Sequence, residues 1–209
     1  MATETVTLRP ATSADAGTLA ELVVQLFHAE MPGVLRGPRH GQVRLIRHLV
    51  EHELASGVRG RFMALDAGGA VVGSASIRLH GDVSTVNLPP GTLTLAIRCL
   101  GPLNTLILIG NMLRAALVGE TRLRPGECYI YSVIVAEDRR GRGIGDAIME
   151  QIEEQARCMG VSVAYLRVIS GNQPARRLYL RRGYQLVARA SPFVGRIGIP
   201  SELMRKDLR

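Results

Sequence analysis

Apolar spacing divides the 209-residue chain into a regular beginning, a regular end and a middle that keeps no single period. Val6 to Leu8 reads as a short strand. Thr12-Ser-Ala-Asp15 follows with the spacing of a capping box, ahead of Leu19, Leu22, Val23 and Leu26 on one helical face. A Pro/Gly-rich bend from Pro32 to Gly41 leads into a second helix carrying Val43, Ile46, Leu49, Val50 and Leu54, with Gly57 as its stop. Arg61 to Asp66 and Val71 to Leu79 then read as antiparallel strands around Ala67-Gly-Gly69, whose glycines suit a turn that needs positive φ.

Periodicity lapses after His80, and an apolar tract runs from Leu93 to Val118. Order returns with Cys128 to Asp138, a β-branched and aromatic run suited to a buried strand. RRGRGIGDAIMEQIEE, Arg139 to Glu154, opens a helix with Ile144, Ile148, Ile152, Ala156 and Met159 on one face and Gly160 at its end. Val163 to Ile169 is the next strand, so a strand, helix, strand unit with a parallel pair is expected. Asn172 caps a short helix with Pro174 in its first turn, running through Leu178 and Tyr179 to Gly183. A last strand from Tyr184 to Ala190 and a tail from Leu203 to Leu208 complete the chain.

Composition narrows the chemistry. Apolar residues make up 46%, charged residues 21% and aromatics 4%, a globular balance with an aliphatic core. The formal net charge is +8, and Lys206 is the only lysine. Nine arginines lie between Arg139 and Arg182 against Asp146, Glu150, Glu153 and Glu154, so the excess is local and favours a bound anion. Cys99, Cys128 and Cys158 have no ligand or disulfide spacing, and no metal is expected. The N-terminal MATETVTLRP has no apolar run, so no secretory leader is expected and a cytoplasmic location is.

A buried strand delivering a glycine-rich turn to a helix N-terminus gathers unpaired amides at the positive end of a helix dipole. That arrangement suits phosphate, with glycine allowing close approach and arginine adding forks at the rim. GRGIG lacks the last glycine of a dinucleotide fingerprint, and no GK[ST] follows to make an NTPase loop. On glycine pattern alone, a solvated turn fits equally well.

Arg140-x-x-Gly143-x-Gly145, between the strand Val133-Ile-Val135 and an amphipathic helix, resembles the coenzyme A loop of the GNAT superfamily of N-acetyltransferases. Asn172, Ala175, Leu178, Tyr179, Gly183 and Tyr184 resemble the second half of that family's pattern, in the correct order and spacing. The resemblance is clear over residues 128–190. It implies an α/β (α+β by some schemes) GNAT fold, a mixed central sheet flanked by helices, as one domain over 1–209. Residues 80–127 would then be an insertion between the third and fourth strands.

The resemblance implies an acetyl-CoA-dependent N-acetyltransferase acting on a primary amine by direct attack through a tetrahedral intermediate. Val133, Ile134 and Val135 would splay from their neighbour and hold the pantetheine arm. Arg140, Gly141, Arg142, Gly143, Ile144 and Gly145 would wrap the pyrophosphate, with Asn172 and Tyr179 completing the cofactor side. A backbone N–H near Val133 would stabilise the oxyanion, so no nucleophilic residue is needed. Tyr179 is the candidate acid for the leaving thiolate. For the base, Tyr129 to Ala136 contains no carboxylate; Glu127 is nearest, and a water relayed through Ser132 or Tyr131 fits equally well. Glu30, in the bend after the first helix, is a further candidate on the acceptor side.

Leu103, Leu106, Ile107, Gly110, Leu113 and Leu117 share one helical face inside the insertion. The segment is too short and polar for a membrane span, since a bilayer core needs about 20 apolar residues, and a core or interface helix is expected. A lid over the acceptor, a pocket wall and a homodimer contact all fit it. The acceptor is a small-molecule or protein amine. A noncatalytic acyl-CoA sensor on the same fold is the alternative, and no nucleic-acid motif or stacking platform is present.

Overall fold

The computed structural model describes residues 5–57, 60–82, 88–116, 121–189 and 200–209. Strand β1 (Thr7–Pro10) runs into the expected capping box, in which the Thr12 amide donates to Asp15 Oδ2 at 2.8 Å. Arg9 holds the same carboxyl at 2.7 Å and keeps it well below the usual carboxylate range. Helix α1 (Ala16–Glu30) therefore begins from a fixed corner. Helix α2 (Arg39–Ala55) packs beside it, and strands β2 (Arg61–Leu65) and β3 (Val71–Leu79) form the expected hairpin. Asp66 Oδ1 accepts from the amides of Gly68 and Ala70 to close that turn.

The C-terminal half supplies β4 (Glu127–Val135), α5 (Ile144–Cys158), β5 (Val163–Ile169), α6 (Gln173–Arg181), β6 (Gln185–Arg189) and β7 (Ser201–Asp207). Seven strands form one sheet in the order β1-β2-β3-β4-β5-β7-β6; β4 and β5 are parallel and the remaining pairs antiparallel. On one face α5 buries Ile144, Ile148 and Ile152 against Cys128, Ile130, Ala164 and Leu166. On the other, α1 and α2 bury Leu19, Leu22, Leu45 and Val50 with Met63 and Ile134. The expected last strand is β6, and Ala190 lies outside the described residues.

Three expectations change. The Leu203 to Leu208 tail is strand β7, held between β5 and β6. Its Lys206 Nζ reaches the buried Glu153 carboxylate of α5 at 2.7 Å, and Arg182 grips the same group at 3.0 Å. The arginine cluster is mostly neutralised: Arg139, Arg157, Arg176, Arg181 and Arg182 form ion pairs with nearby carboxylates. The positive charge available to an anion is correspondingly smaller than the composition implied.

The third change concerns residues 80–127, which join β3 to β4 and carry α3 (Thr92–Leu100) and α4 (Pro102–Ala116). Helix α3 lies close on α2; a Cβ at Gly41 would stand 2.1 Å from the Cys99 carbonyl oxygen. Helix α4 turns its buried Thr105 and half-buried Leu108 inward. Asn104 donates to the Leu100 carbonyl at 2.8 Å and Asn111 to the Val34 carbonyl at 3.4 Å. These polar anchors orient the helix, so Leu103, Leu106 and Leu113 of the expected apolar face are 70%, 66% and 66% exposed. That face is not core; Leu117 lies outside the described residues.

Candidate active site

The centre of the molecule is a defect in β4. Ser132 has φ +49°, unusual for a residue other than glycine. The pairing with β3 steps from Ser76↔Tyr131 to Ser74↔Ile134, so β4 carries one extra residue there, a β-bulge. Side chains alternate along a strand, and the extra residue shifts the alternation. Cys128 and Ile130 face α5 before the bulge; Val133 and Val135 face it afterwards, while Ile134 turns to the α1–α2 side.

The same bulge opens the sheet. Pairing of β4 with β5 covers Glu127↔Val163 to Ile130↔Leu166 and stops there. β5 continues to Ile169 along β7, and β4 continues to Val135 along β3. Among the described residues, Val133 to Val135 therefore have no strand partner on the β5 side and face a cleft between two parallel strands. Arg140 Nε donates to the Val135 carbonyl at 3.3 Å and fastens the top of that edge.

Beyond it, a short turn over Glu137–Arg139 leads to Gly141 and Gly143, each at φ +80°. Such left-handed conformations cost a side chain and are open to glycine. The Gly143 carbonyl accepts from the Asp146 and Ala147 amides, which starts α5, while buried Ile144 anchors the helix to the core. The first amides of α5 have no partner within the helix and point, with its dipole, toward the cleft mouth. Gly145 packs near Leu178 and Val135, and Arg142 Nη2 donates to the Asp138 carbonyl at 3.4 Å. Backbone donors in this position suit a phosphate chain.

Helix α6 flanks the cleft. Asn172 Oδ1 accepts from the Ala175 amide at 3.1 Å, the expected cap, and its Nδ2 donates to Glu30 Oε1 at 2.7 Å. Glu30 closes α1, so this bond ties opposite sides of the sheet together at the cleft. Burial pushes the Glu30 carboxyl up, opposed by the Asn172 hydrogen bond and the positive Arg140. Tyr179 is buried, packed edge-on against Tyr184 at 5.9 Å. Its hydroxyl is raised above the usual phenol range, first by burial and then by the charges of Glu30 and Tyr129. Tyr179, Asn172, Glu30 and Arg140 thus form one constellation.

Glu127 does not join it. It sits at the other end of β4, where its Oε2 accepts from the Arg124 amide at 2.8 Å and its Oε1 from Tyr165 at 3.4 Å. At about 3.3 Å per residue, roughly 20 Å of strand separates it from Val133.

Tyr131, a candidate relay, belongs to a polar row on the α1–α2 face below the bulge, whose other members the sequence had not singled out. Tyr129 and Tyr131 stack with ring centroids 6.5 Å apart, Arg78 lies over Tyr129 at 5.5 Å and Arg61 over Tyr131 at 5.8 Å. Arg61 also pairs with Glu53 at 2.8 Å. Both tyrosines are raised, chiefly by burial. Their i, i+2 spacing within an aliphatic strand was the available signal.

Among the described residues, no group of three His, Cys, Asp or Glu is placed to hold a metal. None of their helices is long and apolar enough to cross a membrane.

The model of the acetyltransferase (GNAT) family matches residues 34–184. The chain is 36% identical over 59 residues to an uncharacterized N-acetyltransferase of Bacillus subtilis, covering 28% of this chain and 38% of that protein. It is 34% identical over 56 residues to an L-methionine sulfoximine/L-methionine sulfone acetyltransferase of Pseudomonas aeruginosa, covering 27% and 33%. The matched segment thus spans little more than a third of these curated relatives. Among solved structures, an aminoglycoside acetyltransferase with paromomycin and acetyl-CoA superposes with a TM-score of 0.62 at 15% identity, covering 98% of this chain and 94% of that one.

Proposed function

Because the chain belongs to the GNAT acetyltransferase family, we propose that it transfers an acetyl group from acetyl-CoA to a primary amine. The observation that carries this reading is the bulge at Ser132, beside a cleft between parallel strands and a helix N-terminus whose free amides suit an anion. The residues fit the donor. The amides from Gly141 to Gly145, with Arg142 at the rim, would hold the pyrophosphate, and the free edge from Val133 to Val135 would hold the pantetheine arm.

Bound there, acetyl-CoA supplies an acetyl thioester open to direct attack by an amine, with the developing oxyanion near the Val133 amide. The chain then has two protons to manage. Tyr179 keeps its proton throughout the physiological range, because burial and neighbouring negative charge disfavour the phenolate. It is the acid for the leaving sulfur. Glu30 is the base that takes the proton from the acceptor ammonium: it stands across the cleft from Tyr179, fixed by Asn172, and desolvation makes it more basic than an exposed glutamate. Glu127 is too distant for that role. The relatives' named substrates, an aminoglycoside and methionine derivatives, differ so widely that the acceptor is not inherited with the fold.

Purified protein should bind CoA by calorimetry and release free thiol from acetyl-CoA in the presence of an amine panel. Gly143→Glu, which places a carboxylate and a strained side chain in the turn, should abolish CoA binding. Tyr179→Phe should retain it while lowering kcat by about 10²-fold or more. CoA binding without thiol release would return the sensor reading; no CoA binding by the unaltered protein would end both.

Glu30 predicts a pH dependence. A base works deprotonated, and its pKa is raised, so kcat/KM should fall on acidification at a pH above that of an ordinary glutamate. In Glu30→Gln this limb should vanish and the plateau drop by about 10²-fold. An unchanged limb in that variant would assign the base elsewhere.

A further inference from the structure

We propose that the acceptor is a primary amine that also carries a carboxylate, and that Arg167, with Arg61 and Tyr129, forms the subsite for that carboxylate. The inference rests on the acetyl-transfer reading for the place of the amine. Arg167 directly follows Leu166, the last β5 residue paired to β4, so it stands where the strands part. Tyr165 pairs with Tyr129 across the parallel ladder, which puts Tyr129, Tyr131, Tyr165 and Arg167 on one face, the face that Glu30 also borders. An amine at Glu30 and a carboxylate at Arg167 would therefore lie on the same side of the cleft.

The chemistry of the lining favours a monoanion. Arg167 donates to the Ser201 hydroxyl at 3.4 Å and its positive charge opposes the rise of the Tyr129 hydroxyl, and among the described residues it has no carboxylate partner. Arg61 is nine-tenths buried, yet its Nε and Nη1 have no hydrogen-bond partner. Buried polar groups are ordinarily satisfied, and unpaired donors of this kind mark a place for an acceptor oxygen. Glu53 already pairs with Arg61 and Arg78 lies over the Tyr129 ring, and the planar guanidinium of Arg167 can bind a carboxylate as a fork. A cationic or plain alkyl acceptor would instead place its charge or its apolar chain against guanidinium groups and buried phenols.

The test offers each acceptor twice, as the free amino acid and as its carboxamide, using glycine, β-alanine, methionine and glutamate. Binding is read by calorimetry to protein saturated with CoA, and turnover separately by thiol release. Free acids should bind and react at least about tenfold better than their amides, the scale of one charge-assisted hydrogen-bonded contact. In Arg167→Gln that discrimination should disappear while the affinity for CoA, which reports an intact fold, is retained; Arg167→Lys should recover part of it. Equal binding of acids and amides, or discrimination that survives in Arg167→Gln, would overturn the proposal. Discrimination in binding with no thiol release from any pair would leave the carboxylate subsite in place and remove the transfer reading alone.

Discussion

Helices α5 and α4 are each 15 residues long and each carries apolar side chains at helical spacing, but they meet opposite fates. In α5, Ile148 and Ile152 are wholly buried. In α4, Leu103, Leu106 and Leu113 face outward, while polar side chains hold the inner surface. The difference lies in what delivers each helix. β4 and β5 bracket α5 in a strand, helix, strand unit that must cover the sheet. α4 follows α3 through Gly101, at φ +84°, and its orientation is decided by which carbonyls its asparagines can reach. An apolar stripe identifies a face; it does not identify what lies against that face.

Three substitutions would break or sharpen this contrast. Ile148→Ala should cost about 2–5 kcal/mol in denaturant unfolding, because α5 is locked between sheet and turn and cannot collapse into the space. Gly41→Ala, which forces a methyl onto the Cys99 carbonyl, should cost about 1–3 kcal/mol through displacement of α3. Its CoA affinity should be unchanged, since the donor cleft lies on other elements; a parallel loss of CoA binding would show the two regions to be coupled. Leu106→Ser should alter stability by no more than about 0.5 kcal/mol. A cost as large as that of Ile148→Ala would mean that α4 is covered in solution.

What could be read from the sequence follows the same division. The strands Val71–Leu79 and Val163–Ile169 and the cap at Asn172 were legible because alternation, glycine stops and capping are local signals. The strand end, glycine turn and helix start were legible because they are contiguous, from Val133 to Gly145. β7 was not, since Ser201–Asp207 mixes serine, glutamate, arginine and lysine and becomes a strand only between two neighbours. Nor was the pairing of Glu30 with Asn172. Glu30 and Asn172 are 142 residues apart in the chain and meet at 2.7 Å only because α1 and α6 end at the same cleft. The arginine excess was overstated for a related reason, as a count from Arg139 to Arg182 omits Asp66 and Glu202, which the fold brings to Arg139 and Arg176.

Ser132 makes the cleft a matter of counting rather than of bulk. One surplus residue in the ladder to β3 turns the strand's later amides and carbonyls out of step with their neighbour. A deletion of that single serine would restore plain alternation, with Val133 still toward α5, and let β4 zip along β5 past Ile130, closing the cleft with every other residue of the motif still present.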